Sequence, residues 1–339
     1  MEFPLHLAEQ GEDVLVVDKT DIAAGASGIA CGVVRNNYFQ PAMQDLMAAC
    51  VEIWESDPET FAYHGSGYIA LGDREQEGDL TAVYERQQRI GYDSSLIQGE
   101  AEVAAHMREL FSDWRAPGLS VCLHERQGGF AFNKDSMHGL AAKARAAGAA
   151  IETGVEVTGF TFDGSDAVTQ VETSAGPIAV EHVVVAVGPW VADLWEMLGL
   201  PRRLEVAGEE REMWTYWYLQ EGEIDVDPSM FVTADGSLPP VLHVDSHAPL
   251  HADSGELITD EQWGVYFKQD KHGVQGGAMP FKVKTAPEQV KIDPYGPESP
   301  DFIVGDDWRI AAGVLLVLGA GALLVSAAHA STAVVATWA

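Results

Sequence analysis

Asp18 closes a short apolar run, Val14-Leu15-Val16-Val17, and a small-residue segment follows it: Gly25-Ala26-Ser27-Gly28, then Gly32 and the first cation after that loop, Arg35. A carboxylate at the carboxyl end of a parallel strand can accept hydrogen bonds from two sugar hydroxyls, the arrangement that holds the ribose of a dinucleotide. Glycines and small side chains let backbone N–H groups approach a phosphate or a flat ring closely. The competing reading of the same residues is a buried strand ended by a solvated Asp and a plain glycine turn. A second strand end with such a glycine is Val183-Val184-Val185-Ala186-Val187-Gly188, which runs into Pro189-Trp190. His243, His247 and His251 recur every four residues with Asp245 and Asp253 nearby. That spacing suggests a metal only on a helix, and the loop-like residues between Pro240 and Pro249 offer none, so no metal site is expected.

The elements that must position these residues follow from periodicity. Leu5–Gln10 before Gly11 reads as the last turns of a capped helix, and Val14–Val17 as a buried parallel strand. Apolar residues at Met43, Leu46, Met47, Cys50, Ile53 and Trp54 predict a helix over Pro41–Glu55, and further helices are expected over Leu80–Ile90, Glu100–Leu110 and Ser136–Gly148. Gly67–Gly72 reads as a short strand. Ala150–Val157 reads as another, restoring a β-α-β rhythm, and Thr158–Ile178 as a small antiparallel meander. A helix is expected over Trp190–Leu198. Beyond Pro201, Trp214–Tyr218, Val241–Asp245, Trp263–Phe267 and Val274–Met279 read as an antiparallel sheet.

The order LAEQGEDVLVVDK…GASG…GVVR, with the later VVVAVGPW and GVYFK…GVQGG segments, resembles the FAD-dependent amine and amino-acid oxidoreductases, the group of D-amino-acid, glycine, sarcosine and dimethylglycine oxidases. The resemblance spans roughly Leu5 to Trp308. It implies an α/β fold: a Rossmann-type FAD-binding domain over 1–38 and 126–200, an α+β substrate domain over 39–125 and 201–300, and a tail over 301–339. It implies FAD, bound non-covalently because the glycine loop carries no His or Cys at the linkage position. Its binding residues would be Asp18, Lys19, Gly25, Ala26, Ser27, Gly28, Gly32, Val157, Ala186, Gly188 and Trp190. Arg35 and Tyr38 repeat an R-x-x-Y spacing carried near the flavin face, and Arg35 would hold a substrate carboxylate bidentately; an Arg paired with a nearby acid has equal weight. Tyr266 and Lys268 sit where the family's hairpin closes the pocket, against the competing reading of a strand aromatic and a solvated edge Lys. The implied reaction is hydride transfer from the carbon beside nitrogen to the flavin, with oxygen or another carrier as electron acceptor. No acid or base is assigned.

Two features depart from the family. The G-x-G-x-x-G turn and its strand, expected before the first helix, are missing, which suggests a truncated chain, or one unable to hold FAD, and leaves two neighbouring strands with unpaired edges. After Arg309 the chain runs to Ala339 with His329 as its one titratable side chain. Gly319-Ala320-Gly321-Ala322 reads as a relic of the family's last glycine turn, and a shifted reading frame near Trp308, favoured over a membrane anchor, explains the change of composition equally well. The alternatives to an active oxidoreductase are therefore an inactive fragment and a membrane-anchored flavin dehydrogenase. With 20 basic against 52 acidic residues the net charge is −32, a field that repels nucleic acid and disfavours docking on anionic lipid. Cys31, Cys50 and Cys122 share no metal spacing and read as buried, reduced thiols. No signal peptide is recognised at the start, and a cytoplasmic location is expected. The partner expected is a small amine or amino acid, and self-association stays open.

Overall fold

The computed structural model describes residues 2–279 except 166, 202, 207, 213–215, 225–226, 252–253 and 272, together with 301–304 and 332–337. Two compact units divide the chain, one built from 1–30, 137–218 and 284–339, the other from 31–136 and 219–283. The junctions thus fall at 30/31, 136/137, 218/219 and 283/284, where the sequence reading placed them at 38/39, 125/126, 200/201 and 300/301.

The first unit carries a parallel sheet. Its order is His182–Ala186, Thr332–Thr337, Asp13–Asp18, Ala150–Thr153. Asp13–Asp18 is apolar between its ends because it has a parallel neighbour on each side. The helix Glu2–Glu9 precedes it, and Gly11 turns the chain between them. The expected pair of open edges is not found: Thr332–Thr337 lies between Asp13–Asp18 and His182–Ala186 and pairs with both, Leu15 with Val334 and Val183 with Val334. The remainder of the tail at 305–331, with the proposed glycine relic, lies outside the described residues. The meander is present as the antiparallel strands Val157–Phe162, Val168–Thr173 and Ile178–Ala179. Val17, Val155, Val157, Val171, Val187, Trp190 and Leu194 form one buried cluster that joins meander, sheet and the helix Val191–Met197.

The second unit is organised on a larger sheet, in the order Tyr216–Ile224, Val274–Met279, Trp263–Gln269, Val241–Ser246, Tyr68–Gly72, Val121–Glu125, Ser94–Gln98. The strands beyond Pro201 pair antiparallel as expected, and Val241–Ser246 also runs parallel to Tyr68–Gly72, which joins them to the earlier strands. Of the expected strand Trp214–Tyr218, positions 214 and 215 lie outside the described residues, and the strand there is Tyr216–Ile224. Every residue of Tyr68–Gly72 and Val121–Glu125 is buried because both faces of the sheet are covered. Tyr68, Ala70, Val121 and Leu123 pack with Leu80 and Val83 of the helix Glu77–Ile90. Ile69, Leu71, Cys122 and Leu242 pack with Val103 and Met107 of the helix Glu100–Leu110. Alternation along each strand thus sorts the sheet into two faces, and the Tyr68 face carries the polar residues that matter below. Cys31 and Cys122 are buried and Cys50 is half-buried. Among the described residues no helix is long and apolar enough to cross a membrane.

Candidate functional site

In the first unit, Asp18 ends its strand almost fully buried, and its Oδ1 accepts hydrogen bonds from the Thr20 N–H at 2.8 Å and the Thr20 hydroxyl at 3.1 Å. These contacts fix the carboxylate at the carboxyl end of a parallel sheet. Next to it, the Lys19 ammonium lies 4.5 Å from the centre of the Trp190 ring, a cation–π contact. Burial pulls the Lys19 pKa below its ordinary value, against the opposing pull of Glu156, Asp193 and Asp18. Trp190 itself is in the core, at the end of the short 3-10 turn Gly188–Trp190 that follows the strand ending at Ala186. Val157 is a core residue whose backbone pairs with Thr173. Gly25 precedes the single helical turn Ala26–Ile29. A Cβ on Gly28 would lie 1.8 Å from the Ala23 carbonyl oxygen, so this loop closes only around glycine.

Gly32 falls in the second unit. Its φ of +69° suits glycine, and a Cβ there would lie 2.3 Å from the Ala131 carbonyl oxygen. Arg35 follows the two-residue strand Val33–Val34. Its Nη1 donates to the Tyr68 hydroxyl at 2.7 Å, and the guanidinium lies over the rings of Tyr38 and Tyr68, 5.1 Å and 5.2 Å from their centres. Among the described residues no carboxylate forms an ion pair with Arg35; the buried Glu125 acts on its charge from beyond that distance. The lack of an ion pair is unusual for a half-buried cation in a chain of net charge −32.

Beyond Tyr68 the polar chain continues. The Tyr68 hydroxyl lies 2.5 Å from His243 Nδ1, and His243 Nε2 lies 3.0 Å from Asp245 Oδ1. Strand register explains the grouping: Tyr68 is opposite Val241, and His243 and Asp245 follow at two-residue steps on that face, with His243 opposite Tyr266. Tyr266 is half-buried, its ring centre 6.3 Å from that of His243. Two glycines leave room for these side chains. A Cβ on Gly264 would lie 2.2 Å from Asp245 Oδ1, and one on Gly277 would lie 2.8 Å from the Tyr266 hydroxyl. Gly264→Ala should therefore fold normally but displace the Asp245 carboxylate. A shift in the His243 Nε2 resonance, with a melting temperature changed by only a few degrees, is the expected result.

Lys268 was set against the reading of a solvated edge Lys, and that reading is corrected. Its strand has a neighbour on either side, and Lys268 is buried, 3.0 Å from Asp270 Oδ1 and 4.9 Å from the centre of the Phe130 ring. The histidine series does not converge: His243 faces Tyr68, while His247 pairs with Asp73 and Glu75. Among the described residues no group of three potential ligands surrounds a metal position; Asp253 lies outside them.

Sequence reasoning passed over Tyr68, treated only as a strand residue, and Glu125. Glu125 is fully buried beneath Arg35 and accepts from the Asn36 N–H at 2.8 Å and the Gln87 amide at 2.6 Å. Burial pushes its pKa up to about 7, against the lowering effect of those bonds and of Arg35. A glutamate in an otherwise apolar strand, VCLHE, was the available signal.

A family model for FAD-dependent oxidoreductases, DAO, matches residues 5–281. The chain is 21% identical over 205 residues to human peroxisomal sarcosine oxidase, covering 59% of this chain and 50% of that protein. It is 25% identical over 209 residues to human mitochondrial dimethylglycine dehydrogenase, covering 59% of this chain and 23% of that one. It thus spans half or less of the length of these curated relatives. Among solved structures, L-proline dehydrogenase from P. horikoshii superposes with a TM-score of 0.63 at 21% identity, over 84% of this chain and 70% of that one. Glycine oxidase from Bacillus cereus does so at 0.53 and 20%, over 85% and 71%. These likenesses show a shared fold. With most of its length matched by that model, the chain belongs to the DAO family of FAD-dependent oxidoreductases.

Proposed function

We infer that the chain oxidises the C–N bond of a small amine that also carries a carboxylate, of the sarcosine, glycine or D-amino-acid type. The observation that carries the reading is Arg35: a guanidinium with no carboxylate at ion-pair distance among the described residues, held by Tyr68 and Tyr38. A carboxylate ligand supplies the missing anion, and burial among aromatic rings strengthens the pairing. Tyr266 would line the same pocket, and Lys268 would support it from beneath Phe130 rather than meet solvent.

The first unit's residues fit FAD. Asp18 would hold the ribose hydroxyls, the tight Gly25–Gly28 loop would admit the pyrophosphate or the ring, and Lys19, Ala186, Gly188 and Trp190 would line the site. Val157 would contribute through its backbone. The cofactor would be held without a covalent link. Bound flavin would supply the two-electron oxidation, with oxygen or another carrier as the final acceptor. The residues of the chain orient the amine and exclude water.

Two measurements test this. Purified full-length protein should show the flavin absorption spectrum, released on denaturation; a folded, colourless protein that takes up no added FAD overturns the cofactor reading. Titration with isobutyrate, a carboxylate without an amine, should show binding that Arg35→Ala weakens by about 2–3 kcal/mol, roughly 30- to 150-fold. Unchanged affinity in Arg35→Ala overturns the substrate reading.

A further inference from the structure

We propose that Tyr68, His243 and Asp245 form a one-way proton relay that takes the proton from the substrate's ammonium group and delivers it to solvent, while the same Tyr68 hydroxyl anchors Arg35. This rests on the reading of Arg35 as the carboxylate site.

The direction of the chain is fixed by its ends. A guanidinium only donates, so the Tyr68 oxygen accepts from Arg35, and the Tyr68 O–H is left to donate to His243 Nδ1. A carboxylate only accepts, so the resting imidazole carries its hydrogen on Nε2, toward Asp245. His243 Nδ1 is therefore the vacant proton position. The inner end is buried, with Tyr68 1% exposed, whereas the side chains of His243 and Asp245 are 20% and 36% exposed, so the relay runs from the interior to water. The charged or titratable groups facing it are Arg35 and Glu125 beside Tyr68, and Asp245 and Tyr266 beside His243. Gly264, opposite Asp245, keeps the outer end uncovered by a side chain.

An amino acid binds at neutral pH as an ammonium, whose nitrogen lone pair is tied up, and oxidation at the neighbouring carbon needs that pair. With the carboxylate on Arg35, an N–H bond of the ammonium breaks toward the Tyr68 oxygen as the Tyr68 O–H proton moves to His243 Nδ1. Tyr68 ends as a phenol again, the imidazolium forms beside the Asp245 carboxylate, its Nε2 proton leaves to bulk water on the Asp245 side, and return of the ring to the Nε2–H form resets the relay. No electrons are transferred in this step. The phenol is suited to passing a proton without keeping or losing one, since burial holds its pKa up at about 12.

The test compares 2-aminoisobutyrate, which has ammonium and carboxylate but no oxidisable C–H, with isobutyrate, which lacks the nitrogen. Calorimetric titration of the full-length protein at pH 8, in buffers of different ionisation heat, counts protons released per ligand bound. Wild type should release close to one proton with 2-aminoisobutyrate and none with isobutyrate. His243→Asn should bring the first count near zero while isobutyrate affinity stays within about twofold. Asp245→Asn, altered at the exposed end, should lower the count in the same sense and serves if His243→Asn does not fold. Undiminished proton release in these variants, with isobutyrate still bound through Arg35, overturns the relay alone. Failure of wild type to bind isobutyrate overturns the carboxylate site and the relay with it.

Discussion

Glu125→Gln should abolish a loss of stability that the wild-type protein suffers as pH rises from about 4.5 to 7. Burial raises the native pKa of Glu125 to about 7, whereas the unfolded chain has an ordinary carboxyl group. Between these values the native state binds more protons than the unfolded state. Stability therefore falls with increasing pH through this window, the reverse of the usual salt-bridged carboxylate. The contribution is present in full below the unfolded pKa and lost as pH passes the native one; its size is about 3 kcal/mol. The general repulsion of a chain of net charge −32 acts in the same direction. Only the difference between wild type and Glu125→Gln, measured by urea denaturation at several pH values, isolates the residue. Parallel curves for the two proteins would show that Glu125 is ionised throughout.

Gly28→Ala should cost about 2–3 kcal/mol and release any bound flavin. The obstacle is backbone, the Ala23 carbonyl oxygen 1.8 Å from the added carbon, so no side-chain rotation relieves it. Ala23 already has a positive φ of 61°, a conformation costly for a residue with a Cβ, which leaves the loop little latitude to move away. Denaturation midpoint and retained flavin absorbance should fall together; a variant with wild-type values for both would mean that the loop opens without penalty.

Local signals made the first unit legible. An apolar strand ended by Asp18, a small-residue loop and a second strand ended near Gly188 each lie within a few consecutive residues, and side-chain size alone announces them. The chain Arg35–Tyr68–His243–Asp245 was not legible in that way. Its members lie on separate strands, Tyr68 and His243 being 175 positions apart, and only the parallel register of Val241 on Tyr68 brings them together. Nothing in a sequence of alternating residues tells which neighbour a strand will choose. For the same reason Lys268 passed for an edge residue: period-two alternation shows that it faces Tyr266's side of the sheet, but not that another strand lies beyond it. The histidines at four-residue spacing drew attention to a metal, whereas strand geometry turns His243 toward Tyr68 and leaves His247 to Asp73.

The position of Thr332–Thr337 inside the parallel sheet has a kinetic consequence. Asp13 pairs with Thr332, so one strand waits for another more than 300 positions further along the chain. Closing so long a loop is entropically expensive, and such distant pairings form slowly. The second unit's strands from Tyr68 to Glu125 can pair within a short stretch, while Asp13–Asp18 and His182–Ala186 keep an edge exposed until Thr332–Thr337 arrives. Removing 332–337 should thus leave Asp13–Asp18 and His182–Ala186 with open edges for good and promote aggregation more than its few residues suggest.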